Sequence, residues 1–166
     1  MRKAVLLINL GTPKSPAKKD VRRYLTQFLN DPRVIDINPI SRFILVNGII
    51  VPFRAGKSAK LYEKIWAKEG SPLLIHGLNL QKKLQKELGD EYVVEFGMRY
   101  QEPSIAAAIE RLKNENISSI TVVPLYPQYA TSSTTSSIEE TKRVLKKWPT
   151  APPVKFIQNF FDDKGF

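Results

Sequence analysis

Short apolar runs alternate with amphipathic stretches along this chain. Residues 4–10 are apolar except Asn9, the pattern of a strand buried on both faces. Gly11-Thr12-Pro13 then turns the chain. Ser15-Pro16 places a capping hydroxyl before a proline suited to the first helical position. Val21, Tyr24, Leu25, Phe28 and Leu29 recur at helical spacing, with Lys18, Lys19, Arg22 and Arg23 off the stripe. Asn30-Asp31-Pro32 ends that helix. A second helix is predicted over 57–67, with Leu61, Tyr62, Ile65 and Trp66 on a core-like face. Gly70-Ser71-Pro72 repeats the cap-then-proline signal and opens a third helix, marked by Leu74, Leu78, Leu84 and Leu88 and ended by Gly89. Residues 92–96 read as a strand continued by Gly97-Met98-Arg99-Tyr100. Pro103-Ser104 opens a fourth helix with Ile105, Ala108, Ile109 and Leu112. Residues 117–125 form a third strand, a fifth helix runs to about Trp148, and 154–157 form a fourth strand. This alternation predicts an α/β fold: a four-stranded parallel sheet flanked by helices on both faces. At 166 residues it predicts a single domain, 1–166.

Two stretches exceed what that scheme needs. Residues 38–53 are more apolar than a connection requires. They read either as a buried helix or as an exposed apolar lip for a membrane or a hydrophobic ligand. Arg54 and Lys57 follow directly. The second stretch lies after the third strand, which breaks at Pro127. Of the eight residues 130–137, seven are Ser or Thr. A helical pattern through Ile138, Thr141, Leu145 and Trp148 follows. Strand, proline break, hydroxyl-rich loop and helix form the crevice-building unit of an open α/β sheet. Hydroxyls and free backbone N–H groups would sit at the positive end of a helix dipole. Tyr126 and Tyr129 add flat apolar faces with polar tips. The combination suits a flat ligand carrying acidic groups. The plainer reading is a solvated loop that caps a helix.

Composition narrows the chemistry. The net charge of +10 favours anionic partners: nucleic acid, an anionic membrane surface, or carboxylate and phosphate ligands. The lysines are scattered over helix faces, which weakens the nucleic-acid option. There are no cysteines, so disulfides and thiolate metal sites are excluded, and a single histidine, His76, excludes a His-rich metal cluster within the chain. No 18-residue apolar run predicts a transmembrane helix. The N-terminal apolar run stops at Asn9 with no cleavage site, so a strand in a cytoplasmic protein is expected.

Four blocks resemble a known family. They are Leu6-Leu7-Ile8-Asn9-Leu10-Gly11-Thr12-Pro13, residues 62–72 with Glu69-Gly70-Ser71-Pro72, Gly97-Met98-Arg99-Tyr100, and Tyr126-Pro127-Gln128-Tyr129 with its Ser/Thr tail. In this order and spacing the chain resembles the N-terminal half of ferrochelatase, which inserts ferrous iron into a porphyrin to make haem. The resemblance implies a chelatase-like half, whose partner is a missing C-terminal half, with the porphyrin in the cleft between them. It implies ferrous iron and protoporphyrin IX as substrates and no tightly bound cofactor. Arg54, Tyr62 and Ser71 match positions that bind porphyrin propionates; guanidinium and hydroxyl groups suit carboxylates. Leu10, Arg99 and Tyr100 match residues on the ring face opposite the catalytic histidine. Residues 132–137, Ser136 and Ser137 among them, would line the cleft wall. The family's proton-accepting histidine and its partner glutamate match no position here, so no catalytic residue and no metal ligand is assigned. Ile75-His76-Gly77-Leu78 imitates the histidine motif but lies on a helical pattern. Lys14 stands where coproporphyrin-type members carry a tyrosine, which favours the protoporphyrin branch. A fragment of this kind is expected to be inactive alone and cytoplasmic; peripheral contact with a membrane is the option that the apolar lip at 38–53 leaves open. Two alternatives remain: a short homodimeric chelatase, and a basic nucleotide- or RNA-binding module. The glycine-poor Gly11-Thr12-Pro13 turn weighs against the latter.

Overall fold

A computed structural model describes residues 1–165. The chain divides into two compact units. The sheet unit comprises Met1–Leu10, Gly77–Arg99 and residues 103–165; the helical unit comprises Gly11–His76 and Tyr100–Glu102.

The sheet has the order β2-β1-β3-β4 and all its strands are parallel. They are β1 (Arg2–Gly11), β2 (Tyr92–Tyr100), β3 (Ile117–Pro124) and β4 (Val154–Phe156). Leu6 pairs with Val122 and Ile120 with Val154. Parallel neighbours cannot be joined by a tight hairpin, so helical crossovers connect them. These are α4 (Pro72–Leu88), α5 (Ile105–Lys113) and α6 (Ser136–Leu145). Ala4, Leu6 and Ile8 of β1 and Ile120 and Val122 of β3 form one core with Ile105, Ile109 and Leu112 of α5 and Val144 of α6. Each fully buried Leu or Ile contributes about 1.5–3 kcal/mol.

Helices cover both faces of the sheet, and two glycines show why they fit. A Cβ on Gly77 of α4 would lie 2.3 Å from the Phe96 ring. A Cβ on Gly97 would lie 3.0 Å from the Ile105 backbone of α5. Successive strand residues point to opposite faces. Phe96 therefore meets α4 on one side of β2 while Gly97 receives α5 on the other.

In the helical unit, α1 (Lys18–Leu29) packs against α3 (Val51–Ile65). The latter continues α2 (Pro39–Ile44) through a wide π turn, Leu45–Ile50, so that 39–65 read as one helix. Asn38 caps it, its side chain accepting from the N–H groups of Ile40 and Ser41. Pro52 gives a physical reason for the widened turn: it lacks an N–H and its ring crowds the preceding turn.

One open alternative is decided here and one expectation changes. Residues 38–53 are helical but mostly exposed. Only Val46 and Val51 are buried, while Ile40, Phe43, Ile44, Ile49 and Phe53 face outward. Leu61 and Ile65, expected on a core face, are 62% and 61% exposed. The reason is the stripe that α3 buries: Val51, Ala55 and Ala59, four residues apart, are buried instead. The hydroxyl-rich loop is also corrected. Thr131–Thr135 is a π-helical turn leading straight into α6, with the N–H groups of Ser133, Thr134 and Thr135 all donating to the Ala130 carbonyl.

Candidate functional site

In the sheet unit, polar side chains converge where β2 and β3 end. Arg99 donates from Nε to Ser136 Oγ at 2.7 Å and to the Ser136 carbonyl at 3.1 Å. Leu125 N–H donates to the Ile8 carbonyl at 2.7 Å, which ties the end of β3 to β1 near Leu10. Tyr126 follows, its hydroxyl 3.4 Å from Ser137 Oγ. Burial pushes the Tyr126 phenol up to about 12; the Ser137 hydrogen bond and the Arg99 charge lower it only in part. Tyr126 is thus a neutral donor or acceptor, not a phenolate, at ordinary pH.

Ser136 and Ser137 themselves are fully buried. Thr141 Oγ1 donates to the Ser137 carbonyl, and Thr134 Oγ1 accepts from Ala130 N–H. These hydroxyls organise the start of α6 and support Arg99 and Tyr126. Beside them an open groove of about 590 Å³ is lined by residues 125–130 and Phe161. The N–H groups of Phe160 and Phe161 donate to the Pro127 carbonyl and hold that edge. Exposed Tyr129 and Phe161 give the groove flat apolar walls.

The remaining candidates lie in the helical unit. Tyr100 is completely buried; its ring meets Phe28 edge-on and its hydroxyl donates to Asp31 at 2.8 Å. It therefore presents no exposed face in this structure. Tyr62 is half-buried between Tyr24 and Trp66, each ring edge-on to it. Burial raises its pKa, and a hydrogen bond with Tyr24 offsets part of that. Arg54 is exposed on α3 and shares a helical stripe with Leu61 and Ile65. Ser71 is buried and accepts a hydrogen bond from Thr12 at 2.8 Å.

His76 is exposed on α4. Among the described residues no three His, Asp or Glu side chains form a metal-binding group. No described helix is long and apolar enough to cross a membrane.

Three supporting residues went unread in the sequence. Thr12 looked like part of a turn, Asp31 like a helix terminator, and Tyr126 like a flat face rather than a partner of Ser137. Spacing carries no signal for such pairs, because the partners are distant in sequence: 59 residues for Thr12 and Ser71, and 69 for Tyr100 and Asp31.

A ferrochelatase family model matches residues 2–166. A ferrochelatase of Legionella pneumophila (strain Paris) is 47% identical over 161 residues, covering 97% of this chain and 48% of the relative. One of Coxiella burnetii (strain Dugway 5J108-111) is 51% identical over 138 residues, covering 83% of this chain and 39% of the relative. A third, from Chromobacterium violaceum, is 43% identical over 166 residues, covering 98% and 46%. The chain thus spans about half the length of the curated relatives it matches.

Proposed function

Because the chain belongs to the ferrochelatase family, we propose that it forms the N-terminal, porphyrin-contacting part of an enzyme that inserts ferrous iron into protoporphyrin IX. The observation that carries this reading is that the family match runs over residues 2–166 and so spans all eight candidate residues. Iron and porphyrin are substrates here, and the proton-accepting role is assigned to no residue of this chain.

In this reading the exposed guanidinium of Arg54 pairs with a propionate, and the hydroxyls of Tyr62 and Ser71 add hydrogen bonds. Leu10, at the carboxyl end of β1, presses on the ring. Arg99 acts near the metal's path. Tyr100, Ser136 and Ser137 act from behind, by holding the strand end and the start of α6. Protoporphyrin IX is preferred to coproporphyrin, as Lys14 suggests.

The test is to titrate the chain with protoporphyrin IX and follow the Soret band. Saturable binding is expected. Arg54→Ala should weaken it about tenfold, the scale of one hydrogen bond to a charged group. Added ferrous or zinc ion should leave the free-base spectrum unchanged. Absence of binding, or rapid metalloporphyrin formation by this chain alone, sinks the proposal.

The exposed residues Ile40, Phe43, Ile44, Ile49 and Phe53 favour a second element, peripheral contact with a membrane. Co-sedimentation with vesicles containing anionic lipid is expected, and its loss in Phe43→Ser/Phe53→Ser.

A further inference from the structure

Ser71 is held through both its backbone and its side chain. The chain enters it through a tight turn. Ala67 N–H donates to the Gly70 carbonyl, Gly70 N–H donates back to the Ala67 carbonyl, and Gly70 adopts a φ of +126°. It leaves through α4, whose first turn closes when Ile75 N–H donates to the Ser71 carbonyl. The backbone of Ser71 is therefore fixed on both sides.

The side chain is fixed by Thr12. Both residues are 5% exposed. Thr12 is itself held. Gly11, immediately before it, has a φ of +120°, and a Cβ there would lie 2.1 Å from the Tyr100 carbonyl oxygen. That close approach pins the turn carrying Thr12.

The direction of the hydrogen bond decides the chemistry. A hydroxyl has one proton to donate and two lone pairs to accept with. Thr12 Oγ1 donates to Ser71 Oγ. The Ser71 proton is then not used between the two. Among the described residues it has no protein acceptor. A buried donor without an acceptor is costly, so this proton suits a ligand that brings an acceptor.

We infer that Thr12 is a positioning residue. By donating to Ser71, it keeps the Ser71 hydroxyl as a donor aimed at a carboxylate, and so makes the site selective for porphyrins with free carboxylates over their esters. This rests on the proposed contact between Ser71 and a propionate. A charged carboxylate accepts more strongly than an ester carbonyl, so the orientation matters more for the acid.

The experiment measures affinity for protoporphyrin IX and for its dimethyl ester, in the whole chain and in variants. Thr12→Val removes the donor at nearly constant volume. It is expected to lower the acid-to-ester affinity ratio about tenfold, on the scale of one hydrogen bond to a charged group. Thr12→Ser retains the donor and should restore the ratio to within about twofold. If Thr12→Val does not fold, Thr12→Cys replaces it; its thiol is a weak donor, and the ratio should fall about threefold. A merely structural role for Thr12 lowers affinity for both ligands alike. An unchanged ratio in Thr12→Val, alongside a lowered ratio in Ser71→Ala, overturns the inference. An unchanged ratio in Ser71→Ala overturns the propionate reading of Ser71, whatever Thr12 does.

Discussion

Two regions, one in each unit, treat their side chains in opposite ways: the start of α6 and the outer ridge of α2 and α3. The sheet unit buries polar groups and satisfies them: Thr134, Ser136, Ser137 and Thr141 are all fully enclosed, and Arg99 and Tyr126 are tied to them. The helical unit exposes apolar groups and leaves them uncovered: Ile40, Phe43 and Phe53 are 72%, 65% and 77% exposed. A buried hydroxyl lowers stability unless it has a partner, so the sheet unit's polar groups are fixed in geometry. An exposed Phe costs the folded state little, so the helical unit's outer face is free to serve contact with something else. Fixed geometry belongs to the enclosed hydroxyl cluster at the start of α6, and freedom for outside contact to the exposed ridge of α2 and α3.

The largest expected effect sharpens that contrast from the rigid side. Phe96 is 1% exposed and lies against Gly77, where no side chain could be accommodated. Phe96→Ala should cost about 3–5 kcal/mol through lost burial and the cavity left behind. Urea unfolding of the two proteins measures it. A loss under about 1 kcal/mol would show that the contact between α4 and β2 is loose, contrary to the packing.

The next effect concerns the buried phenol. Tyr126 has a folded-state pKa raised from 10 to about 12, because burial disfavours the phenolate. The folded state therefore holds this proton more tightly than the unfolded one. Its contribution is full below pH 10 and drains away as pH rises towards 12, on the order of 2 kcal/mol in total. Lysines titrate in the same range, so the measurement is a difference. The stability of the chain relative to Tyr126→Phe should fall by that amount between pH 10 and 12. Parallel curves would mean that the phenol is not enclosed. Arg99→Leu should cost about 1–2 kcal/mol at pH 7, because Ser136 keeps its burial and loses its charged donor. Thermal unfolding reads that change.

The sheet was legible in the sequence because buried parallel strands announce themselves as continuous apolar runs, as in residues 4–10. The crossovers were legible for the same reason, through caps such as Ser104 before Ile105. What misled was periodicity that records a face without saying what the face meets. Leu61 and Ile65 share a stripe, but α3 buries Ala55 and Ala59 instead. The Ser/Thr run resembled a loop because each of its residues favours caps and turns in isolation. Its helical form depends on a shared acceptor, the Ala130 carbonyl, and on burial beside Arg99, neither of which composition encodes. The candidate residues were found through the family resemblance. Whether each touches a ligand or supports one that does depends on burial, which separates exposed Arg54 from enclosed Tyr100.

The smallest effect on stability tests the adaptable side, and it carries the contrast furthest. Phe43→Ser and Phe53→Ser together remove two rings that are mostly exposed. Surface substitutions of this kind stay within about 0.5 kcal/mol each. The same rings would supply much of the apolar area offered to a bilayer, so binding to anionic vesicles should fall sharply while the unfolding midpoint barely moves. The two readouts must separate. If the double variant loses several kcal/mol, the rings are packed in solution and the exposed ridge does not exist. If stability and vesicle binding are both unchanged, the ridge exists but meets something other than lipid. The matching control is Val46→Ala, on the same helix but fully buried, which should lower stability by about 1–2 kcal/mol and leave vesicle binding of the folded chain intact.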